Sequence, residues 1–130
     1  KLNLSENVFL VGKINGNLKQ KFLESSDVFV MPSYKVNNSI EGFGISYIEA
    51  AAFRIPSIAG LDGGVTDAVI DKKTGWCVDP LNQEQLANVL RDAINNKDQR
   101  QKYGLHAEKK FLQYFLGEKV FRKFMDTISI

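Results

Sequence analysis

The sequence predicts an α/β protein, a parallel sheet with helices on its faces. Two patterns carry that prediction. Short apolar runs (Val8–Val11, Val28–Met31, Pro56–Ala59 and Gly75–Val78) alternate with segments whose apolar residues recur at helical spacing, and the last third is helical throughout. Strands alternating with helices pair in parallel, because each crossover helix must lie against a face of the sheet. A third observation sets the scale: 130 residues with 44% hydrophobic content suffice for one core, which predicts a single domain.

In chain order, Val8–Val11 reads as the first strand, ended by Gly12, and Leu18–Leu23 as the helix after it. Val28–Met31 is the second strand. Asp27 precedes it, and Pro32, with no N–H for a ladder, ends it. Phe43–Phe53 reads as helix, with its start near Phe43 or Gly44, and Pro56–Ala59 as a third strand closed by Gly60. Val65–Ile70 is a short helix, and Gly75–Val78 a fourth strand ending at Asp79-Pro80. The order is βαβαβαβ. Leu86, Val89, Leu90, Ala93 and Ile94 then form one apolar stripe, and Tyr103, Ala107, Phe111, Tyr114 and Phe115 a second. Gly117 breaks the run, and Val120, Phe121, Phe124, Met125 and Ile128 begin a third stripe. No internal repeat, low-complexity tract or linker interrupts the pattern.

Composition excludes several classes of function. The net charge is +2, from 17 basic and 15 acidic side chains mixed along the chain, so no field points to nucleic acid. Lys109, Lys110, Lys119, Arg122 and Lys123 interleave with Phe111, Phe115, Phe121 and Phe124 at helical spacing, as solvated faces of amphipathic helices do. Cys77 is alone, which rules out a disulfide framework or cysteine-built zinc site within the chain and favours a reducing compartment, hence the cytoplasm. No apolar run approaches the ~18 residues of a membrane span. His106, the single histidine, lies beside Glu108 on a polar helix face and reads as a surface residue. Asp62, Asp67, Asp71 and Asp79 fall in loops or at helix starts, where capping accounts for them without a metal.

The stretch Ser39–Phe53, SIEGFGISYIEAAAF, concentrates the chemistry. It leads from the second strand into a helix at the carboxyl edge of the sheet, where ligands of open α/β sheets bind. Gly42 and Gly44 let a ligand approach the backbone, and the first amides of the helix lack intrahelical partners, so they suit a phosphate. Glu41 can accept from hydroxyls. Glu49, roughly 7–8 Å along the helix at 1.5 Å per residue, can grip another part of the same ligand. One ligand carrying a diphosphate and hydroxyls satisfies the set. The residues taken alone leave other readings open: a turn with two solvated carboxylates, since Tyr47 stands where a dinucleotide fingerprint would have its third glycine, or a glycosidase pair, which needs a set separation across a sugar.

Four segments, SSDVFVMPS, EGFGISYIEAAAFRIPSIAG, GGVTDAV and TGWCVDP, together resemble the second half of retaining GT-B glycosyltransferases, glycosyltransferase family 4 or glycosyl transferases group 1. The hallmark of that family is two glutamates separated by seven residues, and the order and spacing match from about Val8 to Tyr103. The resemblance implies a Rossmann-like domain, the C-terminal donor-binding half of a two-domain hexosyltransferase whose absent N-terminal domain holds the acceptor. Residues 1–116 would be that partial domain, without its first strand-helix unit, and residues 117–130 a helix crossing to the N-terminal domain. Glu41 with Gly42, Phe43 and Gly44 would hold and orient the donor sugar at the catalytic centre. Amides near Ile45 and Ser46 would face the diphosphate, and Glu49 would bind the ribose hydroxyls. The donor is a nucleotide sugar, no metal or other cofactor is needed, and transfer retains the anomeric configuration through an oxocarbenium-like transition state. The acceptor is a glycan or lipid, which places the full-length protein in polysaccharide or glycolipid biosynthesis, in the cytoplasm or peripherally at the inner face of the membrane.

The sequence also departs from the family pattern. The arginine and lysine that neutralise the diphosphate lie before the matched region, so the segment alone is expected to be inactive. Arg54 stands where a glycine is usual, and Asp67 where a glutamate is usual. The Ser33–Glu41 loop is longer than in many members, similar to mannosyl-type transferases. A non-catalytic nucleotide-sugar-binding module and an inert folding fragment stay open as alternatives. Without its partner domain, the last helix would fold back on its own domain or mediate self-association.

Overall fold

A computed structural model describes residues 4–14, 16–34, 44–61 and 64–120. Helix α1 spans Gly16–Ser25, strand β1 Phe29–Met31, α2 Ile45–Ala52, β2 Ser57–Gly60, α3 Val65–Ala68, β3 Gly75–Val78, α4 Gln83–Asn95 and α5 Lys97–Lys110, followed by a π-helical turn, Phe111–Phe115. The three strands form a parallel sheet in the order β1-β2-β3, with Phe29 opposite Ser57 and Ser57 opposite Gly75. This is the predicted α/β class.

Side-chain alternation divides the core between the two faces of the sheet. Ala59 of β2 packs with Tyr47, Val65, Ala68 and Val69, and Cys77 of β3 lies against the same cluster. Ile58, Trp76 and Val78 point the other way and pack with Ala93 and Tyr103 of the C-terminal helices. Every residue of β2 is buried, as a strand covered on both faces must be. Trp76 and Tyr103 rings lie 4.9 Å apart, which ties α5 to the sheet. A third cluster of Leu23, Ala50 and Ile55 sets α1 beside α2.

The C-terminal helices are joined at Asn96. Asn96 ends α4 and starts α5, its side chain accepting from the Gln99 amide at 3.0 Å, while Arg100 Nη1 donates to the Ala93 and Ile94 carbonyls at the end of α4. Those carbonyls have no intrahelical partner, so the cation supplies one.

Two expectations need correction. Val8–Val11 forms no strand: the segment is exposed, with Leu10 97% accessible and Phe9 75%. An apolar run becomes a strand only where a neighbouring strand takes up its backbone groups, and among the described residues none does. The second helical stripe is also shorter than its spacing suggests. Tyr103 and Ala107 are buried, but at Phe111 the backbone widens into the π-helical turn, Leu116 N–H bonds the Phe111 carbonyl at 3.1 Å, and Tyr114 turns outward, 58% exposed. Residues 117–120 are helical again, and the rest of the third stripe lies outside the described residues.

Candidate functional site

The site expected from the sequence is the start of α2, at the carboxyl end of β1. Glu41, Gly42 and Phe43 lie outside the described residues. Gly44, Ile45, Ser46 and Glu49 are described. The helix begins at Ile45, one residue later than expected, because Gly44 stands at the N-cap in the left-handed region, with φ 69° and ψ 66°. A side chain there would strain the backbone, so glycine is the natural occupant. Among the described residues no side chain caps the helix and the Ile45 and Ser46 amides have no acceptor; the Tyr47 amide turns back to the Gly44 carbonyl at 2.9 Å. These donors form the kind of amide cluster that receives an anion.

Glu49 follows Ile45 by four residues, about 6 Å along the axis at 1.5 Å per residue. Its Oε1 accepts from Lys19 Nζ of α1 at 2.6 Å, with the two side chains 34% and 46% exposed. The carboxylate is thus partly shielded, oriented by a cation and still open to solvent.

Tyr47 holds this helix start in position. Its ring is 1% exposed and meets Phe29 edge-on, centroids 5.8 Å apart and planes 84° apart, and its hydroxyl donates to the Met31 carbonyl at the end of β1. The helix start is therefore latched to the strand end. Gly60 ends β2 so close to the end of β1 that a Cβ there would stand 2.0 Å from the Ser33 carbonyl oxygen.

The sequence marks Tyr47 only as a departure from the dinucleotide fingerprint, and Lys19 not at all. Tyr47 had a readable signal: with Ala50 and Ala51 it makes the i, i+3, i+4 spacing of a buried face. Lys19 had none, since nothing along the chain announces a pair 30 residues apart.

The other polar groups singled out are structural in their contacts. Asp71 Oδ1 accepts from the Cys77 amide at 2.9 Å, Asp79 Oδ1 from the Leu81 amide at 3.0 Å, and His106 Nδ1 lies 3.1 Å from the Lys73 carbonyl oxygen. Asp67 caps nothing with its side chain, since α3 has no side-chain cap; its carbonyl instead accepts from Lys110 Nζ. Burial of that ammonium lowers its pKa, against an opposing pull from the Asp67 carboxylate. Burial and then the Asp71 charge push the Cys77 thiol up to about 11. Arg54 has φ 61°, which explains the glycine usual there in the resembled family, and its Nε bonds Glu108 Oε2 at 2.7 Å. No group of three or more His, Cys, Asp and Glu among the described residues could hold a metal ion. Two surface hollows of about 650 Å³ and 600 Å³ lie elsewhere, at the α4–α5 turn and beside the π-helical turn; in the first the Asn96 side chain is already bonded to the Gln99 amide.

Comparison with known proteins agrees with this architecture. The chain is 28% identical over 124 residues to a GDP-mannose-dependent monoacylated alpha-(1-6)-phosphatidylinositol monomannoside mannosyltransferase of Corynebacterium glutamicum, covering 91% of the chain and 32% of that enzyme. It is 32% identical over 76 residues to sucrose synthase isoform 1 of Daucus carota, covering 58% of the chain and 9% of that protein. The chain thus spans a third or less of the length of these relatives. Among solved structures, a mutant of S. aureus TarM in complex with fondaparinux, alpha-GlcNAc-glycerol and UDP superimposes with a TM-score of 0.83 at 27% identity, covering 98% of the chain and 25% of that structure. Sucrose-phosphate synthase from Thermosynechococcus elongatus superimposes with a TM-score of 0.79 at 26% identity, covering 96% and 32%. The family model of Glycosyl transferases group 1 matches residues 1–110, and with the parallel sheet and flanking helices of GT-B glycosyltransferases in place, the chain belongs to that family.

Proposed function

We propose that this chain is the donor-binding half of a retaining hexosyltransferase that takes a nucleotide sugar as donor and passes its sugar to a glycan or lipid acceptor held by a second domain. The observation that carries the reading is the start of α2: an uncapped helix behind Gly44, with an oriented carboxylate one turn in, at the carboxyl edge of a parallel sheet. Family membership supports it, as does the UDP in the S. aureus TarM complex.

Each group has a task suited to its chemistry. The Ile45 and Ser46 amides and the helix dipole bind the diphosphate and stabilise the charge that develops on it as the glycosidic bond breaks, the kind of preorganised stabilisation that usually supplies the largest catalytic term. Glu49 accepts hydrogen bonds from the ribose hydroxyls. Glu41, the first member of the glutamate pair, binds and orients the donor sugar together with Gly42, Phe43 and Gly44. No metal is assigned, because the amides and a basic pair upstream of this chain neutralise the diphosphate.

Isothermal titration of the full-length protein with UDP, GDP and ADP sugars tests the reading and identifies the base. Binding of one class in the micromolar range or better, followed by transfer to a supplied acceptor with retained anomeric configuration, is the expected result. Binding without transfer to any acceptor would leave a nucleotide-sugar-binding module, and no binding of any of the three would remove the donor role.

A further inference from the structure

We infer that Lys19 is the positioning residue for Glu49, and that nucleotide affinity depends on it through that carboxylate. The inference rests on the reading of Glu49 as the ribose acceptor and goes beyond it, since Lys19 belongs to a different helix and to none of the four segments that carry the family resemblance.

The placement follows from the fold. Helix α1 leads into β1 and α2 leaves it, so both run opposite to the strands and begin at the carboxyl edge of the sheet. Lys19 lies in the first turn of α1 and Glu49 in the second turn of α2, at similar depth below that edge. Lys19 precedes Leu23 by four residues and shares its face of the helix. Leu23 is 8% exposed and packs with Ala50, the neighbour of Glu49, and with Ile55. The apolar contact thus brings the two helices together just beneath the pair, and the 2.6 Å bond between Nζ and Oε1 closes the gap above it.

The chemistry gives the pair a use. A glutamate on a helix has three rotatable bonds, and a carboxylate that must meet two vicinal hydroxyls gains from being held before they arrive. Lys19 occupies Oε1. Oε2 has no hydrogen-bond partner among the described residues and is left to accept from a ligand. A lysine also leaves lone pairs of Oε1 available, because an ammonium donates a single hydrogen along that contact. Both groups are partly exposed, so the pair adds little to folding stability, and an effect on binding is separable from an effect on the fold.

The test is a double-mutant cycle in the full-length protein, read by titration with UDP and with GDP and accompanied by thermal melting. Lys19→Met is expected to weaken binding of the nucleotide that the protein takes by about two- to fivefold, the span of a partly exposed ion pair, with Tm nearly unchanged. Lys19→Arg is expected to restore it. In a Glu49→Gln background Lys19→Met should cause no further loss, because its effect passes through the carboxylate. Unchanged or tighter binding by Lys19→Met, beside a clear loss in Glu49→Gln, overturns the inference alone. A Lys19→Met loss that persists in the Glu49→Gln background also overturns it, and marks Lys19 as a direct ligand contact. If Glu49→Gln binds as the parent does, the ribose reading fails and the inference with it.

Discussion

Glu41 and Glu49 are separated by seven residues; Glu49 is on a helix with a cation against it, and Glu41 precedes that helix in the sequence. Replacement should therefore split their roles. In the full-length protein Glu49→Gln keeps the shape but loses a charged acceptor, and free nucleotide should bind about 1.5–3 kcal/mol more weakly by titration. Glu41→Gln should lower turnover of the sugar donor and leave free nucleotide affinity nearly unchanged; identical profiles would refute the division. Cys77 offers a pH test at the same scale. Its thiol is pushed from 9.0 to about 11 by burial and the Asp71 charge, so between those values the unfolded chain loses the proton while the folded chain keeps it. The stability this group contributes is full below pH 9 and is lost as pH rises towards 11. The melting temperature of the parent should fall more steeply across that window than that of Cys77→Val. The reverse order would mean that the thiol is already ionised in the fold.

Helix α5 shows how the environment of an element can reverse a local preference. Gly104 lies in its interior, where replacement of glycine by alanine normally stabilises a helix by about 1 kcal/mol. Here a Cβ would stand 2.0 Å from the Arg54 carbonyl oxygen, at the end of α2 where Arg54 takes its positive φ. Gly104→Ala should thus destabilise the fold by about 1–3 kcal/mol in denaturant unfolding, the usual penalty of overpacking. A stabilised variant would show that α5 can move away from α2. The same close approach explains the high burial of Tyr103 and Ala107 on either side of Gly104. Beyond Lys110 the backbone passes into the π-helical turn, with its side chains more exposed.

At the scale of the whole chain, the three core clusters of described residues draw on positions between Leu23 and Tyr103, and Val120, the described member of the last stripe, is in none of them. Cutting the chain after Gly117 should therefore leave the α/β core folded, with unchanged far-ultraviolet dichroism apart from the lost helix. Val120 is 49% exposed and opens a stripe of five large apolar residues, each worth about 1.5–3 kcal/mol when buried, so the cut should raise solubility or shift sedimentation towards monomer. Unfolding on truncation would make that helix part of the core. On the proposed reading, in which a second domain holds the acceptor and a basic pair outside this chain neutralises the diphosphate, the purified 130-residue chain should show no sugar transfer from any nucleotide sugar. Measurable transfer by this chain would refute that assignment.

The sequence by itself determined the α/β class, the three strands of the sheet and the helix on which Glu49 stands. Runs such as Ser57–Gly60 and the stripe from Leu86 to Ala93 carry their periodicity in adjacent residues, so a local pattern suffices to read them. It also marked Gly44, as a place where a ligand can approach the backbone; that the position takes the left-handed conformation only glycine enters without strain is a finding of the fold. The fate of Val8–Val11 was decided by tertiary structure, because an apolar run is a strand only in the presence of a partner edge. The latch of Tyr47 on the Met31 carbonyl and the bond from Lys19 to Glu49 were decided there too. Both join residues far apart in the chain, and their geometry is set by how α1, α2 and β1 pack, a matter of shape and buried area that no local spacing encodes.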